Sequence, residues 1–96
     1  MVPEQLTLDA RGNCWVVYIL RCVDGSLYTG ITNDLDRRRQ QHNDGTASRY
    51  TWSRRPVKLV YQEPHATRSL ALKREASVKS LSRQEKLVLI RRSRNR

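Results

Sequence analysis

Phenylalanine is absent from this 96-residue sequence, cysteine occurs twice, proline three times and glycine four times. Acid is scarce too: nine Asp and Glu stand against nineteen Lys and Arg, for a formal charge of +10. No apolar run approaches the ~20 residues that a bilayer-crossing helix needs. Each shortage excludes something. The length holds one small domain with a modest core and leaves no room for a second. On one extended strand Cys14 and Cys22 would stand roughly 26 Å apart, at ~3.3 Å per residue, so no disulfide is expected. With His42 and His65 they offer no closely spaced ligand pair, which excludes thiolate-held zinc. The opening residues carry Glu4 and Asp9 and lack a basic-then-apolar signal pattern, so no membrane association and a cytoplasmic location are expected.

What the sequence does have is concentrated positive charge. Between Arg68 and Arg96 ten basic residues face only Glu75 and Glu85. Lysine and arginine displace the counterions condensed on a phosphate backbone, so the expected partner is a polyanion such as a nucleic acid.

Along the chain, residues 1–12 read as a flexible leader, 13–90 as one folded domain and 91–96 as a basic, frayed tail. The run CWVVYILRCV, from Cys14 to Val23, is apolar and rich in β-branched residues, the pattern of a strand covered on both faces. Leu27 to Ile31 is its hairpin partner. TNDLDRRRQQHNDG then turns helical: Thr32 or Asn33 can cap, Asp34 and Asp36 suit the positive first turn, and Asn43-Asp44-Gly45 stops it. TASRYTWSRR is a polar loop. Pro56 opens a third strand, VKLVYQE, which Pro64 closes. A helix follows from Thr67 to Ser80, and Ser82-x-x-Glu85 is a capping box that starts a short last helix through KLVLI. The order β-β-α-β-α-α defines a small α/β (α+β) domain, a sheet between helices.

Two tyrosines flank the turn at Asp24-Gly25. A two-residue loop would pair Tyr28 with Arg21 and point Tyr18 to the other face. A three-residue loop, Val23-Asp24-Gly25 with Gly25 left-handed, pairs Tyr28 with Leu20 and makes Tyr18 a diagonal neighbour on the same face. That register also gathers Trp15, Val17, Ile19, Leu27 and Ile31 into one apolar layer, so the patterning favours it. On the first helix Leu35, Arg38 and His42 share a face, while Arg37 and Arg39 diverge toward solvent or DNA. Glu75 sits one turn from Ala71 and from Val78, at the edge of an apolar stripe, where a carboxylate can reach into a cleft. Singly, each has an ordinary use: a tyrosine fills a core, a helix arginine is solvated, His42 caps a helix end, and Glu75 is an exposed acid.

Together they resemble a known family. Val17-Tyr18-Ile19 and Tyr28-Thr29-Gly30 are similar to the paired motifs that name the GIY-YIG nucleases. Arg38 stands ten residues after Tyr28, His42 four after Arg38, and Glu75 lies in a later helix, all in that family's order. The likeness runs from about Cys14 to Leu81 and is closest to the small stand-alone bacterial YhbQ-like group. It implies a three-stranded antiparallel sheet flanked by helices. It also implies a DNA endonuclease that hydrolyses phosphodiester bonds with one Mg²⁺ or Mn²⁺ ion, in DNA repair or processing. In that scheme Tyr18 is the general base or its relay to water, and Tyr28 orients the nucleophile or the scissile phosphate. Arg38 stabilises charge growing on the phosphate, His42 assists proton transfer or holds Tyr18, and Glu75 binds the metal. A phenol near pKa ~10 is a poor base unless a cation lowers it.

The likeness has departures. The first motif reads Val-Tyr-Ile without a glycine, and the second has Thr29 in its middle; neither change removes a reacting group. An asparagine that several members place after the metal glutamate has no counterpart in KLVLI. Ile31-Thr32 stands where some members carry a phosphate-binding lysine.

Ser48, Arg49, Tyr50 and Thr51 are expected to grip phosphate from the loop, and Arg54, Arg55, Arg91, Arg92, Arg37 and Arg39 to bind the nucleic-acid backbone. Without an appended reader domain, cleavage is expected to follow substrate structure rather than sequence, and a monomer is expected. The alternative is a nucleic-acid-binding module, for DNA or RNA, that keeps the fold and hydrolyses little. The set Tyr18, Tyr28, Arg38 and Glu75 argues against it, because a pure binder has no use for a carboxylate beside phosphate. A basic protein–protein adaptor explains the charge but not that set.

Overall fold

The computed structural model describes residues 14–94, so the leader and the last two residues of the tail lie outside the described residues. The central strand is β1 (Trp15–Arg21), flanked by β2 (Leu27–Thr32) and β3 (Lys58–His65) in the order β2-β1-β3, with both pairings antiparallel. Composition explains the placement. Val17 and Ile19 bury against one layer and Tyr18 and Leu20 against the other, and a strand apolar on both faces belongs in the middle. Pro64, which has no N–H to donate, is tolerated because β3 is an edge.

The hairpin takes the three-residue loop. Tyr28 pairs with Leu20 and Gly30 with Tyr18. The Cys22 N–H donates to Ser26 O at 2.9 Å, and Gly25 adopts φ 85°, a left-handed conformation that suits glycine. Asp24 braces the loop by accepting from the Ser26 N–H at 3.0 Å and its hydroxyl at 2.6 Å. The two faces separate as the alternation requires. Trp15, Val17, Ile19, Leu27 and Ile31 pack with Tyr61, Ala71, Val78 and Ile90; Tyr18, Leu20 and Cys22 pack with Tyr28, Leu35, Val57 and Leu59.

Helix α1 (Leu35–Asp44) is capped by Asp34, whose side chain accepts from the Arg37 N–H at 3.2 Å, rather than by Thr32 or Asn33 as expected. Thr32 instead supports the cap from behind, its Oγ1 accepting from the Asp34 N–H at 3.0 Å. Gly45, at φ 84°, ends the helix. The stretch expected as plain loop contains a one-turn helix, α2 (Arg49–Trp52), started by Ser48, which accepts from the Tyr50 N–H at 3.0 Å.

Helix α3 (Arg68–Lys79) is capped by Thr67, and α4 (Arg83–Arg94) by a reciprocal Ser82–Glu85 box with bonds of 2.9 and 3.1 Å. α4 does not stop at Ile90. Arginine is a good helix former, and the helix continues through residue 94 where a frayed tail was expected. Helices α3 and α4 cover the Val17–Ile19 face; α1 and α2 cover the Tyr18 face. On the α3 side Glu63 bonds the Tyr61 hydroxyl, His65 Nε2 at 2.6 Å and Arg74 Nε at 2.9 Å, tying β3 to α3.

Candidate active site

Tyr18 can reach across the sheet because Gly30, its partner on the edge strand, has no side chain. A Cβ at Gly30 would stand 2.5 Å from the Tyr18 hydroxyl. The glycine is a window that lets the ring lie over β2. Tyr18 is 1% exposed, and burial pushes its phenol up to about 12; Arg38 beside it pulls the other way without prevailing, while Tyr28 and Glu75 add to the rise. Free Tyr18 is therefore a phenol at neutral pH, and Arg38 by itself does not lower it below the ordinary tyrosine value.

Its partner is His42. The Tyr18 hydroxyl lies 2.9 Å from His42 Nε2, and His42 Nδ1 lies 2.8 Å from the Thr51 hydroxyl. Thr51 donates to Ser48 O at 3.3 Å, which leaves a lone pair to accept from an N–H at Nδ1. The network thus selects the Nδ1–H tautomer, and the bare Nε2 accepts the proton of Tyr18. Burial, then the nearby Arg38 charge, lowers the His42 pKa to about 4, so the imidazole is neutral at physiological pH. It can receive a proton. It is not a helix cap.

Tyr28 completes the group, its ring 5.0 Å from that of His42, 6.5 Å from Tyr18 and 5.9 Å from Tyr50. Its hydroxyl has no hydrogen bond within the described residues. Arg38 is half-buried, donates to Gln41 Oε1 at 3.3 Å, and keeps a buried Nε with no partner. Glu75 arrives from α3, in the other layer. Its side chain is 17% exposed and paired with Lys79 at 3.5 Å, and its charge is felt at the Tyr18 phenol. Tyr18, Tyr28, Arg38 and His42 are brought together, with Glu75 in electrostatic reach.

The expected nucleic-acid contacts divide. Thr51 is fully buried, so its hydroxyl cannot grip a phosphate; it holds His42 instead. Ser48 is committed to capping α2. Arg54 ties the hairpin to α2, pairing with Asp24 at 3.1 Å, donating to Tyr50 O at 2.9 Å and stacking over the Tyr50 ring at 4.0 Å. Arg39 pairs with Asp36 at 3.3 Å. Arg37 on α1, Arg49 on α2 and Arg55 just before β3 are exposed. Arg91 and Arg92 are exposed on α4, in the layer opposite the tyrosines. The roles of Thr51 and Gly30 carry no sequence signal beyond a hydroxyl three residues after Ser48 and a glycine in the second motif; the fold supplies the rest.

The layout defines a small α/β domain with tyrosine, arginine, histidine and glutamate drawn from β1, β2, α1 and α3. The GIY-YIG catalytic domain matches residues 14–87, and the chain belongs to that family, within the nuclease superfamily. It is 55% identical over 74 residues to a UPF0213 protein of Staphylococcus saprophyticus, covering 77% of this chain and 90% of that protein. A UPF0213 protein of Staphylococcus aureus is 55% identical over 75 residues, 78% of this chain and 92% of its own length. The solution NMR structure of a UPF0213 protein from Bacillus halodurans superposes with a TM-score of 0.52 at 43% identity, covering 79% of this chain and 81% of that one. That of a protein from E. faecalis gives 0.59 at 38% identity, covering 88% of each chain. Both cysteines are free, and among the described residues no helix is long and apolar enough to cross a membrane.

Proposed function

We propose that this chain is a metal-dependent phosphodiesterase that cuts DNA by structure rather than sequence, serving DNA repair or processing. The observation that carries the reading is Arg38: a guanidinium with a buried, unpartnered Nε beside the Tyr18–His42 pair. An unmet buried donor is costly, and a phosphate oxygen is the acceptor that would relieve it.

Tyr18, buried and neutral, is suited to relaying a proton; gripping the nucleotide falls to Tyr28 and Arg38. As water attacks phosphorus, Tyr18 Oη takes its proton and passes its own to His42 Nε2. With the phenol at about 12 and the imidazole at about 4, no phenolate–imidazolium pair exists at rest, so the two transfers run together. Thr51 keeps Nε2 bare for that transfer. Arg38 meets the charge that grows on the phosphate.

Glu75 would hold the divalent cation. The described residues gather no cluster of three or more His, Cys, Asp or Glu, and Glu75 is the acid whose charge reaches the Tyr18 phenol, so it would serve as a single carboxylate. Mg²⁺ keeps several waters and takes one or two carboxylates beside substrate phosphates, so this donor set fits Mg²⁺ or Mn²⁺. When bound, such an ion neutralises charge at the phosphate and the leaving oxygen.

A second reading, a binding module with little hydrolysis, is favoured by the raised phenol and near-complete burial of Tyr18. Incubation with nicked, flapped, single-stranded and duplex DNA, with and without Mg²⁺ or Mn²⁺, separates the two. Metal-dependent scission that differs between these structures supports the nuclease; tight binding with no scission supports the module.

A further inference from the structure

Helix α2 turns Thr51 inward and leaves Tyr50 39% and Trp52 58% exposed. Trp52 stands between two grooves. One, of about 550 Å³, runs past Asn43, Arg55 and Pro56; the other, of about 330 Å³, runs past Gly45, Ser48 and Arg49. Neither lining includes an acid. The indole is held in place as well as exposed. A Cβ at Gly45 would stand 2.7 Å from Trp52 Cδ1 and 2.8 Å from Arg55 Nη1, so both side chains rest against that glycine. Arg55 in turn donates to Trp52 O at 2.8 Å and to Asn43 O at 3.3 Å.

A large aromatic ring in water, resting on Gly45 with the Arg55 guanidinium 5.9 Å from its centroid and Arg49 in the groove on its other side, has little to do for the core. Resting on the nucleic-acid reading above, we infer that Trp52 is a stacking platform for one unpaired nucleobase, with Arg49 and Arg55 meeting the phosphates on either side. Charge complementarity selects a polyanion, and the indole selects one with an exposed π face. Bases inside a duplex are already stacked on both sides and cannot use it. The substrate class is therefore DNA with an unpaired or splayed nucleotide beside the cleavage position. Trp52 directly follows Thr51, which holds His42, so the platform adjoins the proton relay.

Binding measured without metal tests this independently of cleavage. The probes are a labelled forked duplex with single-stranded arms, the same fork with abasic arms, and a blunt duplex of equal length, read by fluorescence anisotropy. Trp52→Ala should weaken binding to the fork by about 5- to 150-fold, the equivalent of stacking one base. It should leave the blunt duplex within about twofold, and the abasic fork should bind both proteins alike. Trp52→Phe, which keeps a ring, should retain most of the affinity for the fork and serves as the folding control. Equal loss on fork and blunt duplex, no loss on either, or a Phe variant as weak as the Ala variant overturns the platform while leaving nucleic-acid binding standing. A parent that binds none of the probes overturns both.

Discussion

Acid should destabilise this fold through His42 well before the carboxylates titrate. In the unfolded chain the imidazole takes up a proton near pH 6.5, whereas in the fold burial and Arg38 lower that value to about 4. Above pH 6.5 both states hold a neutral ring, and the stabilisation is complete. Between the two values the unfolded chain binds a proton that the folded chain refuses, so stability falls as pH falls. The gap of about two and a half units, at ~1.36 kcal/mol per unit, gives a loss of about 3 kcal/mol by pH 4. That is a large share of the ~5–15 kcal/mol that holds a typical domain together.

Burial raises Glu63, but hydrogen bonds from Tyr61, His65 and Arg74 and the Arg74 charge outweigh it and hold it below the usual carboxylate range, which adds acid sensitivity at lower pH. A comparison with His42→Gln subtracts that contribution. Urea unfolding of both proteins, from neutral pH down to about 4, is the assay. The variant should be clearly less stable than the parent at neutral pH, and the difference should close by about 3 kcal/mol at the acid end. Parallel pH profiles for the two proteins would refute the buried neutral imidazole.

Three further outcomes follow from the same geometry. Gly30→Ala drives a methyl group to 2.5 Å from the Tyr18 hydroxyl, so the ring must move. A cost of about 1–3 kcal/mol in chemical denaturation and loss of cleavage are expected. Thr51→Val leaves His42 Nδ1 unpaired in the interior, at about 1–3 kcal/mol, or a melting point lowered by roughly 4–20 °C. Thr51→Ser should restore stability, and nitrogen NMR shifts should report the Nδ1–H tautomer in the parent. Removing residues 91–96 deletes four arginines, and each one in contact with duplex DNA contributes ~0.9 to the log–log salt slope of binding. A slope unchanged by the truncation would show that the end of α4 faces away from the nucleic acid.

The register of the hairpin is readable from the sequence. One alternation decided it: only the three-residue loop puts Val17, Ile19, Leu27 and Ile31 on a common face. The caps at Thr67 and Ser82 were equally plain, because a hydroxyl at the right offset from an apolar run has a single geometry to satisfy. Helix α2 was not readable, since one turn carries no period and its start rests on Ser48 alone. Nor was the inward direction of Thr51, which depends on where α1 delivers His42 in three dimensions. Gly30 shows the same divide: the sequence displays a glycine, and only the fold displays the ring above it. Helical spacing put Glu75 at the edge of an apolar stripe, but its association with the tyrosines came from the family pattern, because its helix lies in the layer behind them.

The most direct measurement is metal-dependent cleavage and binding, made side by side on the parent and on Glu75→Gln. The substitution keeps the shape of the side chain and removes the charge that would hold a divalent cation. Cleavage should vanish, with binding equal or slightly tighter because one negative charge near the phosphate is gone. Tyr18→Phe, which loses only a hydroxyl, should behave in the same way. If a purified Glu75→Gln protein cuts DNA as fast as the parent in Mg²⁺ or Mn²⁺, the site is not the one formed by Tyr18, Tyr28, Arg38, His42 and Glu75.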